Sequence, residues 1–131
     1  MRSPLVTVLM PTYNRAHSIR TAIQSILDQT YDKFELLIVD DGSSDNTKQI
    51  VKEYCVIDKR IRYEALPHLG LVSALTLGNG LAKGKIIVKQ DSDDISMPNR
   101  LDVIVRNMDS AEFLYHGMYQ VWEQENIQGY R

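Results

Sequence analysis

Apolar positions in this chain fall into two alternating kinds of pattern. Leu5-Val6-Thr7-Val8-Leu9-Met10 is a short run rich in β-branched residues and closed by Pro11, which predicts a buried strand. Ile19, Ala22, Ile23, Ile26 and Leu27 follow at helical spacing, a single apolar stripe on a polar helix. Phe34 to Val39 is a second buried run, and it ends in Asp40-Asp41-Gly42. Ser43, Ser44 and Asp45 offer N-caps for a second helix that turns Ile50, Val51 and Tyr54 inward. Ile61-Arg62-Tyr63 predicts a short strand, and Leu69 to Leu81 a third helix loosened by Gly78 and Gly80. Lys85 to Gln90 is a strand running into Asp91-Ser92-Asp93-Asp94, and Pro98 suits the first turn of a fourth helix that buries Leu101, Ile104 and Val105. Glu112 to Trp122 reads as extended with apolar residues on both faces, and Glu123 to Arg131 as a polar, loose tail.

Strands alternate with helices through the first hundred residues, which implies an α/β fold: a mostly parallel sheet with right-handed crossovers and helices on both faces. The 131 residues, 44% of them hydrophobic, suit one domain spanning 1–131 and exclude intrinsic disorder. Fifteen Lys and Arg against 17 Asp and Glu leave a net charge of −2, which argues against a nucleic-acid partner held by phosphate neutralisation. The single Cys55 excludes an internal disulfide and a Cys-rich zinc site. No apolar run approaches the roughly 20 residues of a membrane span, and Met1 to Met10 lacks the charge and length of a signal peptide. The expected location is the cytoplasm, free or at the inner face of the membrane.

In open α/β sheets, ligands bind beyond the carboxyl ends of the strands. Those ends here carry Pro11-Thr12-Tyr13-Asn14-Arg15, then Asp40-Asp41-Gly42-Ser43-Ser44, then Asp91-Ser92-Asp93-Asp94. Up to five carboxylates would converge on one edge, and their repulsion would be offset by a divalent cation. Oxygen ligands favour Mg²⁺ or Mn²⁺ over Zn²⁺, and Mg²⁺ is commonly shared with ligand phosphates. Each segment taken alone has a plainer reading: the Asp40-Asp41-Gly42 turn as a helix cap, the later acids as a solvated loop before a helix, Tyr13 as packing. His17, His68 and His116 lack metal-ligand spacing and read as surface or packing residues, and Cys55 as a small apolar residue on a helix. No Gly-rich phosphate loop is present.

The order and spacing of four segments resemble the family-2 glycosyltransferases. These segments are Val6 to Arg15, Ile23 to Tyr31, Phe34 to Ser43, and Ala82-Lys83-Gly84-Lys85 followed by Asp91-Ser92-Asp93-Asp94-Ile95-Ser96-Met97-Pro98-Asn99-Arg100-Leu101. The resemblance covers about residues 5 to 109. It implies a GT-A, Rossmann-like nucleotide-diphospho-sugar transferase fold and inverting transfer of the sugar to an acceptor hydroxyl on a glycan, a lipid-linked carrier or a protein, as in polysaccharide biosynthesis. It further implies that Pro11, Thr12, Tyr13 and Asp41 surround the base of a nucleotide, UDP foremost. Tyr13 would stack on the base and Asp41 would accept its ring N–H. Asp91 is assigned to the ribose or sugar and Asp93 to the metal, Mn²⁺ or Mg²⁺, with Asp94 the next candidate ligand in this Asp-x-Asp motif. Arg15 and Lys89 are possible phosphate partners.

Two departures from the family pattern stand out. Leu75-Thr76 occupies the segment where many relatives carry an Asn, some with an Arg before it, so one polar contact to the nucleotide is expected to be missing. The acceptor-binding half, which supplies the general base, is also expected to be absent: Glu112, Glu123 and Glu125 are the only acids after Asp109, and none has the expected context. A nucleotide-binding module without transferase activity is therefore the alternative. A phosphotransfer domain is the third reading, opposed by the late position of the Asp-x-Asp and by the lack of a suitable Lys after Asp94. Without an acceptor half, residues 112–122 would be left uncovered, and a homodimer through them is expected.

Overall fold

The structure is a computed structural model and describes residues 6–108 together with the backbone of 119–121 and 127–130. Its main sheet has four strands: β1 (Val6–Thr12), β2 (Phe34–Asp40), β3 (Ile61–Ala65) and β4 (Ile86–Lys89). Four helices connect or follow them: α1 (Ile19–Leu27), α2 (Thr47–Ile57), α3 (Leu71–Leu81) and α4 (Arg100–Asn107). All pairings in this sheet are parallel and the spatial order is β3-β2-β1-β4. Every position of β1 and β2 is buried, which explains why both read as unbroken apolar runs rather than alternating ones.

The crossovers sort the helices onto two faces. Val6, Val8 and Met10 of β1 and Phe34, Leu36 and Ile38 of β2 pack with Ile19, Ile23 and Ile26 of α1, Ile50 and Val51 of α2, and Leu101 and Ile104 of α4. The intervening residues Leu9, Leu37 and Val39 face the other way, against Ala74 of α3. The step from β1 to β2 to β3 moves across the sheet in one direction; the step to β4 reverses it. A right-handed crossover then has to pass on the opposite face, and α3 does. Gly78 lets α3 come close: a Cβ there would stand 2.2 Å from Leu9 Cδ1. The helix runs through Gly78 and Gly80 unbroken, so the expected loosening is replaced by a tight helix–strand contact.

Two prolines sit differently from expectation. Pro11 does not end β1; it pairs with Val39. The Leu9 carbonyl accepts from the Gln90 N–H while the Thr12 carbonyl accepts from the Asp41 N–H. Odd positions of β1 therefore turn their backbone toward β4, whose pairing stops at Lys89. The donor that Pro11 lacks would have pointed where no ladder remains. Pro98 stands before α4 rather than in its first turn, with Asn99 as the N-cap, and its carbonyl accepts from the Thr30 N–H. The second helix is capped one residue later than expected: Asn46 is its N-cap, and the Asp45 carboxylate receives the Thr47 N–H at 2.9 Å.

Near the carboxyl terminus, β5 (Tyr119–Val121) pairs antiparallel with β6 (Ile127–Tyr130). The second of these lies within the segment expected as a polar tail. The faces assigned above to residues 112–122, the dimer expected to form on them, and Glu112, Glu123 and Glu125 lie outside the described residues, save the backbone of 119–121. Among the described residues, no helix is long and apolar enough to cross a membrane.

A buried charge fastens β4 to the rest of the sheet. Glu35, opposite Thr7 in the β1–β2 register, is 4% exposed. One carboxylate oxygen meets Arg62 Nη1 at 2.7 Å, and the other accepts from Thr7 Oγ1 and from the Lys83 N–H, each at 2.6 Å. Arg62 also donates to the Leu81 carbonyl at 3.0 Å, and the Gly84 N–H donates to Thr7 Oγ1 at 2.9 Å. The end of α3 and the approach to β4 are thus bonded to β1, β2 and β3 at once. Burial pushes the Glu35 carboxyl up, but these hydrogen bonds and the Arg62 charge outweigh it and hold it below the ordinary 4.5. A depressed carboxylate contributes stability above its unfolded pKa, and loses it as the pH falls through the folded one. Glu35→Gln should therefore cost about 3 kcal/mol at pH 7, toward the lower end for breaking a buried pair because Arg62 keeps some solvent. Its urea midpoint should also fall less steeply than that of the wild type below pH 4.5; parallel pH profiles would count against this anchor.

Candidate functional site

The reversal between β1 and β4 leaves a crevice at the carboxyl ends of the strands, the place where open α/β sheets take ligands. A cavity of about 310 Å³ lies there, at the small end of the range for ligand pockets. Pro11 and Thr12 line it from the end of β1, Tyr13 and Arg15 from the loop that follows, and Asp41 from the loop after β2. Leu71 and Ala74 of α3 and Asp91, Ser92 and Asp93 from the loop after β4 complete it. Pro11, Thr12, Tyr13, Asp41, Asp91 and Asp93, the six residues expected to serve a nucleotide and its metal, all border this one cavity.

Hydrogen bonds wire the three loops together. The Asn14 side-chain oxygen accepts from the Ser44 N–H at 2.8 Å, and the Asn14 N–H donates to Ser43 Oγ at 2.9 Å. The Arg15 N–H donates to Thr47 Oγ1 at 3.0 Å, and Ser18 Oγ to the Ser92 carbonyl at 3.1 Å. Asn14 holds a left-handed φ of 51°, which Asn adopts more readily than most residues. The loop after β4 has its own frame. Gln90 Nε2 donates to the carbonyls of Asp91 and Asp94, at 3.2 and 2.9 Å, while its oxygen accepts from Ser96 Oγ and Arg100 Nη1. Neither Gln90 nor Arg100 stood out in the sequence as more than strand and helix positions.

The neighbouring aspartates divide their tasks. Asp40 is fully engaged in structure: it accepts from the Ser43 N–H at 2.9 Å, Ser43 Oγ at 2.6 Å and the Tyr63 hydroxyl at 2.7 Å. Burial and this carboxylate push the Tyr63 phenol well up. Asp41 accepts from the Leu69 N–H at 2.6 Å and the Gly70 N–H at 3.0 Å, just ahead of α3. His68 Nδ1 lies 3.2 Å from the same carboxylate, and Asp41 also borders the cavity. Thr12 Oγ1 is buried and has no hydrogen-bond partner.

At the other end of the crevice, oxygen atoms of Asp91, Asp93 and Asp94 lie within 4.8 Å of one another. Each acid has a cation nearby. Lys89 Nζ is 3.0 Å from Asp91, and Arg15 Nε is 4.0 Å from Asp93. Arg100 acts on Asp94 by its charge. Loss of solvent and the charges of Asp91 and Asp93 nevertheless push the Asp94 carboxyl up. An oxygen-only donor set under like-charge strain fits a hard divalent cation.

Two remaining positions behave differently. Leu75 and Thr76 are not among the residues that line the cavity, and the Thr76 hydroxyl donates to the Val72 carbonyl at 2.8 Å. His68, expected as a surface or packing residue, is exposed and stacks its ring on Tyr13, with centroids 4.3 Å apart and planes 27° apart. Only the tertiary contact reveals it, because His68 and Tyr13 lie on different loops.

A profile of the glycosyl transferase family 2 matches residues 7–128. The chain belongs to this family. It is 38% identical over 128 residues to the Escherichia coli UDP-Glc:alpha-D-GlcNAc-diphosphoundecaprenol beta-1,3-glucosyltransferase WfgD, covering 95% of this chain and 49% of that protein. In structure it resembles the mannosyltransferase PcManGT of Pyrobaculum calidifontis in complex with GDP-Man and Mn²⁺. There the TM-score is 0.77 and the identity 27%, over 85% of this chain and 34% of that one. S. aureus TarS 1-349 in complex with UDP-GlcNAc gives a TM-score of 0.74 at 28% identity, over 79% of this chain and 31% of that one. The chain thus spans half or less of the length of these proteins. The parallel sheet with helices on both faces is that of the GT-A glycosyltransferases, and the family membership removes the phosphotransfer reading.

Asp41 is both a wall of the cavity and the clamp on the start of α3. Asp41→Asn keeps an oxygen for only one of the two N–H groups and turns an NH2 donor toward the other, and should cost roughly 1–3 kcal/mol. Amide exchange at residues 69–74 should accelerate more than elsewhere; unchanged exchange there would show that another contact holds the helix end.

Proposed function

We propose that the crevice binds a nucleotide-diphosphate sugar, a UDP-sugar foremost, together with Mn²⁺ or Mg²⁺, and serves inverting transfer of the sugar to an acceptor hydroxyl. The observation that carries this reading is the convergence of three strand-end loops on one cavity, with Tyr13 and Asp41 in its wall together with Asp91 and Asp93, which cluster with Asp94. The residue types suit a ligand that carries both a planar base and a diphosphate. Support also comes from the nucleotide sugars named for PcManGT and TarS, and from the metal named for the former.

In this reading the base stacks on Tyr13, which is 41% exposed, and its ring N–H is accepted by Asp41. Thr12 Oγ1 gains a partner from the ligand. Asp91 takes the ribose or sugar, and Asp93, with Asp94 beside it, holds the cation. That cation, when bound, supplies Lewis-acid charge at the departing phosphate oxygen. Once the carboxylates are neutralised, Arg15 and Lys89 are free to turn toward the diphosphate, so that positive charge already in the loops is redirected rather than added. The general base that deprotonates the acceptor belongs to a part of the protein beyond the described residues. Among acceptors, the WfgD name favours a lipid-linked one, which would place the work at the inner face of a membrane.

Titration of UDP in the presence of Mn²⁺ tests the two ends separately. Asp93→Asn should weaken binding by on the order of 10-fold or more, the scale of a lost charge-assisted contact. Tyr13→Ala should cost roughly 1–3 kcal/mol, as base–aromatic stacking does elsewhere. If both variants fold and bind UDP as the wild type does, the nucleotide site lies elsewhere.

A further inference from the structure

His68 is 61% exposed on its side chain, yet nothing about it is loose. Its backbone holds a left-handed φ of 54°, an unusual state for a residue with a Cβ that persists where surrounding structure demands it. The demand comes from both sides. Gly42, itself at φ 79°, passes so close that a Cβ there would stand 2.8 Å from the His68 N and 3.1 Å from its Cβ. The next two N–H groups, those of Leu69 and Gly70, are taken by the Asp41 carboxylate. The ring is oriented as well: Nδ1 is 3.1 Å from the Asp41 carbonyl and 3.2 Å from its carboxylate. Facing two acceptors, Nδ1 has to be the protonated nitrogen.

The ring so fixed lies on Tyr13. Tyr13 borders the cavity and His68 does not. We infer that His68 is a positioning residue for the nucleotide base: it backs the Tyr13 ring and ties that ring to Asp41, so that the stacking surface and the N–H acceptor are held as one unit before the ligand arrives. The inference rests on the reading that the base stacks on Tyr13, and it adds a residue and a physical role to it. Preorganising an exposed aromatic side chain lowers the ordering cost of binding. The effect should be confined to ligands that carry a base.

The test is a thermodynamic cycle read with two probes, UDP with Mn²⁺ and inorganic pyrophosphate with Mn²⁺. His68→Asn removes the ring while keeping a residue that tolerates positive φ, so the loop is spared. It should weaken UDP about 3- to 10-fold, the range that an aromatic pair contributes, and leave pyrophosphate unchanged. In a Tyr13→Ala background it should have no further effect on UDP, because the partner through which it acts is gone. Equal weakening of both probes would mark a merely structural role and overturn the inference. So would additive losses in the double variant. If Tyr13→Ala weakens UDP and His68→Asn does not, the inference fails while the base site stands. If Tyr13→Ala has no effect, the base site fails and takes the inference with it.

Discussion

The crossover from β3 to β4 has to change faces because strand order reverses at β1, and crossovers between parallel strands are right-handed. The other features of the site depend on that reversal. Among the described residues it puts α3 on one side of the sheet and α1, α2 and α4 on the other. It separates the loops that follow β1 and β4, so a crevice opens between them instead of a packed seam. The Glu35 node at the amino ends of the strands makes the reversal stable, since it joins the end of α3 to the three strands that precede it.

Charge is handled differently at the two ends of the sheet. At the amino end, Glu35 is fully matched and its neighbours leave it nothing to do but hold. At the carboxyl end, matching is partial. Asp40 accepts three hydrogen bonds, from Ser43 and Tyr63, Asp41 borders the cavity while taking the Leu69 and Gly70 N–H groups with His68 Nδ1 beside it, and the trio of Asp91, Asp93 and Asp94 shares Lys89, Arg15 and Arg100, the first two on exposed side chains. The incompletely matched carboxylates are the ones that border the cavity or lie beside it. Strain retained there is what a divalent cation and a diphosphate would relieve together.

The succession of strands and helices was legible because β1 and β2 are buried on both faces and leave continuous apolar runs, while α1 leaves a clear stripe. Where expectation and structure part, tertiary geometry decides. Pro11 reads as a strand stop, yet it lies where β4 has already ended and its missing donor costs nothing. Gly78 reads as a weakness in a helix, yet it is the contact with Leu9. The site residues were legible because the residue types and spacing of the three loops resemble a known family, and their shared cavity follows from the sheet order. The contacts of His68, Gln90 and Arg100 were not legible. Each acts through a partner on another segment or on a loop backbone, and single-residue chemistry gives no sign of that.

Base and diphosphate are proposed to share one bipartite site whose diphosphate end needs a cation. Calorimetric titration of UDP into the chain, once with Mn²⁺ and once with EDTA, addresses this most directly. Saturable one-to-one binding with Mn²⁺ that is lost in EDTA is the expected result, because Asp91, Asp93 and Asp94 would otherwise meet the diphosphate as like charges. Equal affinity under both conditions would contradict it, and would remove the cation from the crevice.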